Sequence, residues 1–287
     1  IALLPAAVAG VLFFGYRSAI ILALSVAAAV LSEWLYCKAA HCRNTIGDFS
    51  AVVTGMLLAM NLPSTVPYWM PVIGSVIAIL LCKMIFGGIG QNFINPALAA
   101  RAILALSWAS LMNKFAAPAF GNLAGVDAVA SATPIGAAAG TYTLGQLFLG
   151  NIPGTIGETC KLALLIGAAY LFYKKVITWH IPAAFIGTCA VCYLLKTGFD
   201  VNATLAQLLS GGLILGAFFM ATDYSSSPAT AKGKIVFGIG CGLLLFIFRA
   251  CKKTPAEWCS YAILLMNVCS PLIERVTGNK SFGEVKK

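Results

Sequence analysis

Charge is what this sequence has least of. Asp, Glu, Lys and Arg make up 10% of its 287 residues, 60% are apolar, and the mean hydropathy is +0.91. A soluble domain carries roughly 25% charged residues, so water cannot be the main solvent of this chain. Lipid can, provided the backbone polar groups are paired internally, and the expected fold class is an all-α polytopic membrane protein. Nucleotide signatures are missing too. No G-x-G-x-x-G follows a strand pattern, so no NAD site is expected on this chain. Histidine occurs twice, at His41 and His180, without metal-ligand spacing, and no metal site is expected. The ten cysteines are scattered, mostly in apolar runs, and imply no disulfide framework. Cys189 and Cys192 read as a metal or redox pair, as half of an iron–sulfur site shared with a partner or, more simply, as small buried residues. The formal charge of +10 forms no basic stripe with interleaved aromatics, so nucleic acid is not expected as a partner. Ile1 to Tyr16 lacks the basic start and cleavage site of a removable signal. The first residue is Ile, so an upstream segment is expected.

What is present is a series of apolar runs. Ten candidate membrane segments fall at 1–16, 18–37, 48–62, 67–86, 95–112, 159–174, 177–195, 203–222, 234–250 and 256–273. Gly, Pro, Asn and basic residues separate them. The run 48–62 is short and ends in Asn61-Leu62-Pro63, which suggests a half-helix whose backbone must be buried in protein. One long polar gap, 113–157, divides five runs from five. The halves align with a shift of roughly 160 residues: Thr54-Gly55-Met56-Leu57-Leu58 with Gly211-Gly212-Leu213-Ile214-Leu215, and Arg101-Ala102-Ile103-Leu104 with Tyr261-Ala262-Ile263-Leu264. An odd number of crossings inverts a tandem copy, so about ten helices in two inverted five-helix repeats are expected. The domains would be 1–112, a loop at 113–157, and 158–287 with a short tail. Basic residues in alternate gaps favour both termini on the cytoplasmic side of the inner membrane, with the 113–157 loop outside.

That loop contains Asp127-Ala-Val-Ala-Ser131-Ala132-Thr133-Pro134. Small residues before a proline make an extended, accessible strand of chain, and on those grounds alone a plain loop explains it. The stretch resembles the flavinylation motif of the NqrB/RnfD family, which spans the sodium-pumping NADH:quinone reductase and the Rnf complex. The family pattern is Asp-x-x-Ser-Gly-Ala-Thr; here Ala130 and Ser131 replace the Ser-Gly. Three further stretches resemble the same family: Thr54 to Pro63, Asn92-Phe-Ile-Asn95-Pro96-Ala97, and Met220-Ala-Thr-Asp223-Tyr-Ser-Ser-Ser-Pro228. The length resembles the RnfD branch. The resemblance implies FMN joined through its phosphate to Thr133, with Asp127, Ser131 and Ala132 around the attachment point. It also implies a second, non-covalent flavin, riboflavin, and partners among RnfA, RnfB, RnfC, RnfE and RnfG, above all the FMN-bearing RnfG. The implied role is a membrane electron carrier within a ferredoxin:NAD oxidoreductase complex, coupled to Na+ or H+ translocation.

Polar groups inside apolar runs cost about 2.5–3.5 kcal/mol on insertion and need a reason. Arg101 reads as a partner for a flavin phosphate or for an acid such as Glu33, or as a snorkelling side chain. Glu33, near the end of its run, is expected at the interface. Asn61, Asn95 and Asn267 suit either an isoalloxazine edge or a helix end. Asp48 and Asp223 fall on one membrane side and suit either a translocated cation or a helix cap. Glu257 follows Pro255, where a first-turn acid suits the helix dipole. The inverted-repeat pattern by itself also fits a channel or secondary transporter for a small solute, or an inert scaffold; a flavin ester on Thr133 separates these readings from the first.

Overall fold

The structure is a computed structural model and describes residues 1–43, 45–118, 141–251 and 258–278. Pro5 sits in the first turn of α1 (Leu4–Phe14), where its missing N–H leaves nothing unpaired. Gly15, at φ 76°, ends α1 in a backbone region that favours glycine and starts α2 (Tyr16–Ala39) at once. The inward face of α2 is small or polar: Ser18, Ser25, Ala29, Ser32 and Glu33 are buried. Its outward face carries Leu31, Trp34 and Leu35. This inversion suits a helix that meets lipid outside and satisfies its polar groups inside.

Two serines lock the first helices together. Ser25 Oγ donates to the Gly55 carbonyl at 2.8 Å and lies 2.9 Å from Ser75 Oγ. They join α2 to α3 (Ser50–Met60) and α4 (Trp69–Ile79). The approach needs glycine, because a Cβ on Gly55 would sit 2.8 Å from the Ser25 carbonyl oxygen. The short run 48–62 behaves as its sequence suggests. Helix α3 stops at Met60, and the following backbone is paired by protein: Ile156 N–H to the Leu62 carbonyl, Gly157 N–H to the Met60 carbonyl. Arg17 donates to the carbonyls of Ser64, Thr65 and Val66.

Helix α4 passes into a π turn, Leu80–Met84. Asn95 caps α5 (Pro96–Ser107) by accepting from the Ala97 and Leu98 amides, and α6 (Ala109–Met112) follows. A Thr143–Gln146 capping box opens α7 (Leu144–Leu149). Next come α8 (Lys161–Tyr173), α9 (His180–Lys196), α10 (Val201–Leu209) and α11 (Leu213–Leu215), the last running into a second π turn, Gly216–Met220. The two pieces Val201–Leu209 and Leu213–Met220 meet at 67°, with Gly211 at φ 65° in the break. Two cations take the carbonyls that the break exposes. Arg249 donates to those of Gln207 and Ser210, both at 3.0 Å, and Lys161 to that of Gly211 at 2.8 Å.

The last helices are α12 (Ala231–Cys251) and α13 (Trp258–Thr277). Gly238 and Gly242 of α12 let it lie directly on α9, a close approach of the small-residue kind. A single core cluster joins both halves of the chain, with Leu58, Leu98, Leu164, Phe185, Leu215, Phe237 and Ile263 at its centre. Each of the ten apolar runs carries a helix. Among the described residues, Tyr16–Ala39 and Ala231–Cys251 are long and apolar enough to cross a membrane, or three spans with the bent pair; several others are apolar helices of 10–17 residues. The described elements suit an integral membrane protein.

Candidate functional site

Helix ends from both halves surround a cavity of about 900 Å³. The N-termini of α1, α3 and α5, the C-terminus of α8 and the turn after the second π segment all reach it. Its walls are mainly apolar and aromatic, with Met56, Leu57, Tyr170, Phe218 and Phe219 among them. Its polar groups include Asp48, Ser50, Lys83, Asn92, Asn95, Asp223 and Ser225, with Tyr224 beside them. Such a mixture, mostly apolar with a few convergent polar groups, is the usual make-up of a small-molecule pocket.

Lys83 is buried, and the first π turn carries it. Its Nζ donates to Glu33 Oε2 and to Ser50 Oγ, both at 2.6 Å. The Ser50 hydroxyl passes its own hydrogen to Asp48 Oδ1, and Thr45 donates to the other oxygen of Glu33. An unbroken hydrogen-bonded chain thus runs from Thr45 through Glu33, Lys83 and Ser50 to Asp48. Glu33 is fully buried in protein, and Lys83, not Arg101, is the cation that pairs with it. The residue spacing gives little sign of this pair, because Lys83 reads as one of the basic residues that flank apolar runs. The available signal is that a carboxylate inside an apolar helix needs a cation.

Asp223 and Asp48 both line the cavity, so the structure brings these two expected residues together. Burial raises the Asp223 carboxyl above its ordinary range, against hydrogen bonds from the Ser225 amide and from the side chains of Ser226, Ser225 and Asn92. Burial also raises the Tyr224 phenol, with further upward pushes from Asp223 and Asp48. Both acids also do local work, as the alternative reading holds: Asp48 accepts from the Ser50 amide, and Asp223 from Ser225 and Ser226.

The three asparagines converge on the turn that begins at Met220. Asn95 Nδ2 donates to the Met220 carbonyl at 3.3 Å, and Asn61 Nδ2 lies 3.7 Å from the Met220 sulfur while donating to the Leu57 carbonyl. The Asn267 amide lies between the Ser226 carbonyl and the Asn95 amide, and turned so that its nitrogen faces Ser226 it donates to the first and accepts from the second. These groups end helices and fix a turn; of the three, Asn95 reaches the cavity. Arg101 is buried elsewhere and donates to the Ser260 hydroxyl of α13. Thr133, Asp127, Ser131 and Ala132 lie outside the described residues, as does Glu257. His180 stacks on Trp179, and among the described residues no group of three metal-ligating side chains converges. Cys189 is fully buried and its thiol points to the Gly242 carbonyl, while Cys192 is half-buried.

The profile of the NQR2, RnfD, RnfE family matches residues 1–283. This chain belongs to that family. It is 48% identical to the D subunit of the Na(+)-translocating ferredoxin:NAD(+) oxidoreductase complex of Acetobacterium woodii, over all of this chain and 89% of that one. It is 40% identical to the D subunit of the proton-translocating ferredoxin:NAD(+) oxidoreductase complex of Clostridium ljungdahlii, over 99% of this chain and 89% of the relative. The D subunit of the ion-translocating oxidoreductase complex of Halorhodospira halophila is 33% identical over 98% of this chain and 89% of its own length. The first two relatives are named for different ions, so membership of the family does not by itself choose the ion.

Proposed function

We propose that the chain is the D subunit of an ion-translocating ferredoxin:NAD oxidoreductase complex and carries electrons through the membrane on flavin. In this reading FMN is esterified to Thr133 on the outer face, and the FMN-bearing RnfG supplies its electrons. Ferredoxin and NAD chemistry belong to partners among RnfA, RnfB, RnfC, RnfE and RnfG. The observation that carries the reading is the family match over residues 1–283, joined to the Asp127-to-Thr133 motif. Arg101 is the basic side chain this reading assigns to a flavin phosphate, and meeting one would require it to leave Ser260. The residue pairs Asn61–Met220 and Arg101–Ser260, each 159 positions apart, bond across the two halves. That spacing supports two inverted five-helix repeats, as do the breaks after α3 and α10.

The cavity fits a second, non-covalent flavin in size and chemistry. Ligand pockets run to roughly 300–1,000 Å³, and this one offers aromatic walls with donors at Lys83 and Asn92. A flavin held there would supply one- and two-electron redox chemistry. Lys83 and Asn92 would orient its ring carbonyls, the aromatic walls would keep water off its faces, and Asp223 or Asp48 would meet a cation drawn by the added electron. A channel or small-solute transporter is the second reading, favoured by the bent pair at Val201–Met220. Thr133 separates the two. Purified from its native membrane and run on a denaturing gel, the chain should fluoresce under ultraviolet light, and Thr133→Ala should be dark. An unmodified Thr133 peptide in the assembled native complex would leave the transporter reading standing.

A further inference from the structure

The end of α2 places two thiols side by side. Ala40 closes the helix, His41 takes the left-handed conformation at φ 51°, and the Cys42 amide returns to the Cys37 carbonyl at 3.1 Å. This six-to-one hydrogen bond marks a Schellman ending, in which the side chains at its two ends pack against each other. Here both ends are cysteines. The Cys42 sulfur lies 3.9 Å from the Cys37 carbonyl oxygen, and the neighbouring Cys37 thiol pushes the Cys42 thiol up from its ordinary value, so the geometry of the turn and not an activated thiolate is what favours the pair. Cys42 is exposed and Cys37 buried beneath it. Cys251, the other exposed cysteine, has no such companion five residues away in its helix.

We propose that Cys37 and Cys42 are a dithiol modification site that closes to a disulfide under peroxide and reopens with a thiol reductant. In the closing step an S–S bond replaces two S–H bonds. Hydrogen peroxide takes the two electrons and both protons, its O–O bond breaks, and two waters leave. The local chain supplies what the bond needs: a turn that already holds the two residues together, one solvent-facing sulfur, and no partner from elsewhere in the fold. A disulfide of this kind in a cytoplasm-facing loop is expected to be transient and responsive.

The site is wired to the cavity. Cys37 Sγ lies 3.9 Å from Thr45 Oγ1, and Thr45 holds Glu33, the carboxylate that pairs with Lys83. Closing the disulfide turns the Cys37 sulfur toward Cys42 and away from Thr45, which loosens the 45–50 turn. This second part rests on the cavity reading only for its consequence, not for its chemistry.

The test uses membranes that carry the assembled complex. After peroxide, remaining thiols are blocked with N-ethylmaleimide and the chain is cut with trypsin, which cleaves at Lys38 and Arg43 and so between the two cysteines. The peptide ending at Lys38 should appear joined to Ala39–Arg43, separate after dithiothreitol, and never join in Cys42→Ser. Two separately blocked peptides, or Cys42 found as a sulfinic acid with Cys37 intact, would overturn the site. Amide exchange across residues 45–50 should rise on oxidation in the native chain and stay level in Cys42→Ser. A disulfide that forms with no change in that exchange would overturn the link to the cavity. Neither outcome bears on whether Thr133 carries flavin.

Discussion

At the scale of single residues, the pair Glu33–Lys83 sets the polarity of the cavity. Both side chains are buried, and each is held by a second partner, Thr45 and Ser50. Removing one member strands the other as a buried charge, at a cost of about 3–5 kcal/mol. Removing both strands nothing. Glu33→Gln should therefore lower the thermal unfolding temperature in detergent far more than Glu33→Gln with Lys83→Met. Equal stability of the single and double variants would mean that the pair is not coupled. The presence of an acid in the second apolar run is legible in the sequence; its partner is not. Lys83 is 50 positions away, and its pairing depends on which faces of α2 and α4 meet and on the π turn that rotates the lysine inward. Arg101 shows the same limit. Its place inside an apolar run can be read, but Ser260 becomes its partner only when α5 meets α13.

At the scale of elements, glycine sets how close the helices come. A Cβ on Gly242 would stand 2.7 Å from the Thr188 Cβ and 2.9 Å from the Phe185 carbonyl oxygen; one on Gly238 would meet Ala184 and Ile181 in the same way. Neither neighbour is the tip of a flexible side chain, so the helices would have to separate. Overpacking of this kind costs about 1–3 kcal/mol. Gly187, on the open side of α9, has nothing within 4 Å of such a Cβ. Gly242→Leu should lower the melting temperature of the detergent-solubilised chain. Gly187→Ala should leave it level or raise it, since alanine is the better helix former by about 1 kcal/mol. If both variants melt alike, α9 and α12 do not pack as described. The helices themselves are legible from their apolar runs, and so is the weakness of 48–62, which ends in Asn-Leu-Pro. The break inside 203–222 is harder to read, although Ser210-Gly211-Gly212 is a sequence of helix breakers. An apolar run on either side masks it, and the angle between the two pieces depends on Arg249 and Lys161 taking the carbonyls.

At the scale of the whole molecule, the same cations change how topology is counted. In the sequence, Arg17, Lys161 and Arg249 read as loop charges on the outer side, yet each spends its donors on backbone carbonyls inside the fold. They answer a local need for hydrogen bonds where helices break in an apolar medium. Setting them aside leaves Lys114, Lys196, Lys252 and Lys253 as the outer basic residues. The opposite side loses only Lys83 and keeps Lys38, Arg43, Lys174, Lys175, Lys232, Lys234, Arg275, Lys280, Lys286 and Lys287. The bias toward cytoplasmic termini is thus steeper than the raw sequence count. In the proposed orientation Asp48 and Asp223 share the cytoplasmic side, and a flavin ester on Thr133 would stand on the face opposite the cavity. The prediction is directional. A fluorescent protein fused after Lys287 should glow in an aerobically grown bacterial host, and alkaline phosphatase inserted in the 113–157 loop should be active. An active phosphatase at the C-terminus would invert the chain, place the cavity outside, and break the proposed order in which electrons pass from Thr133 inward.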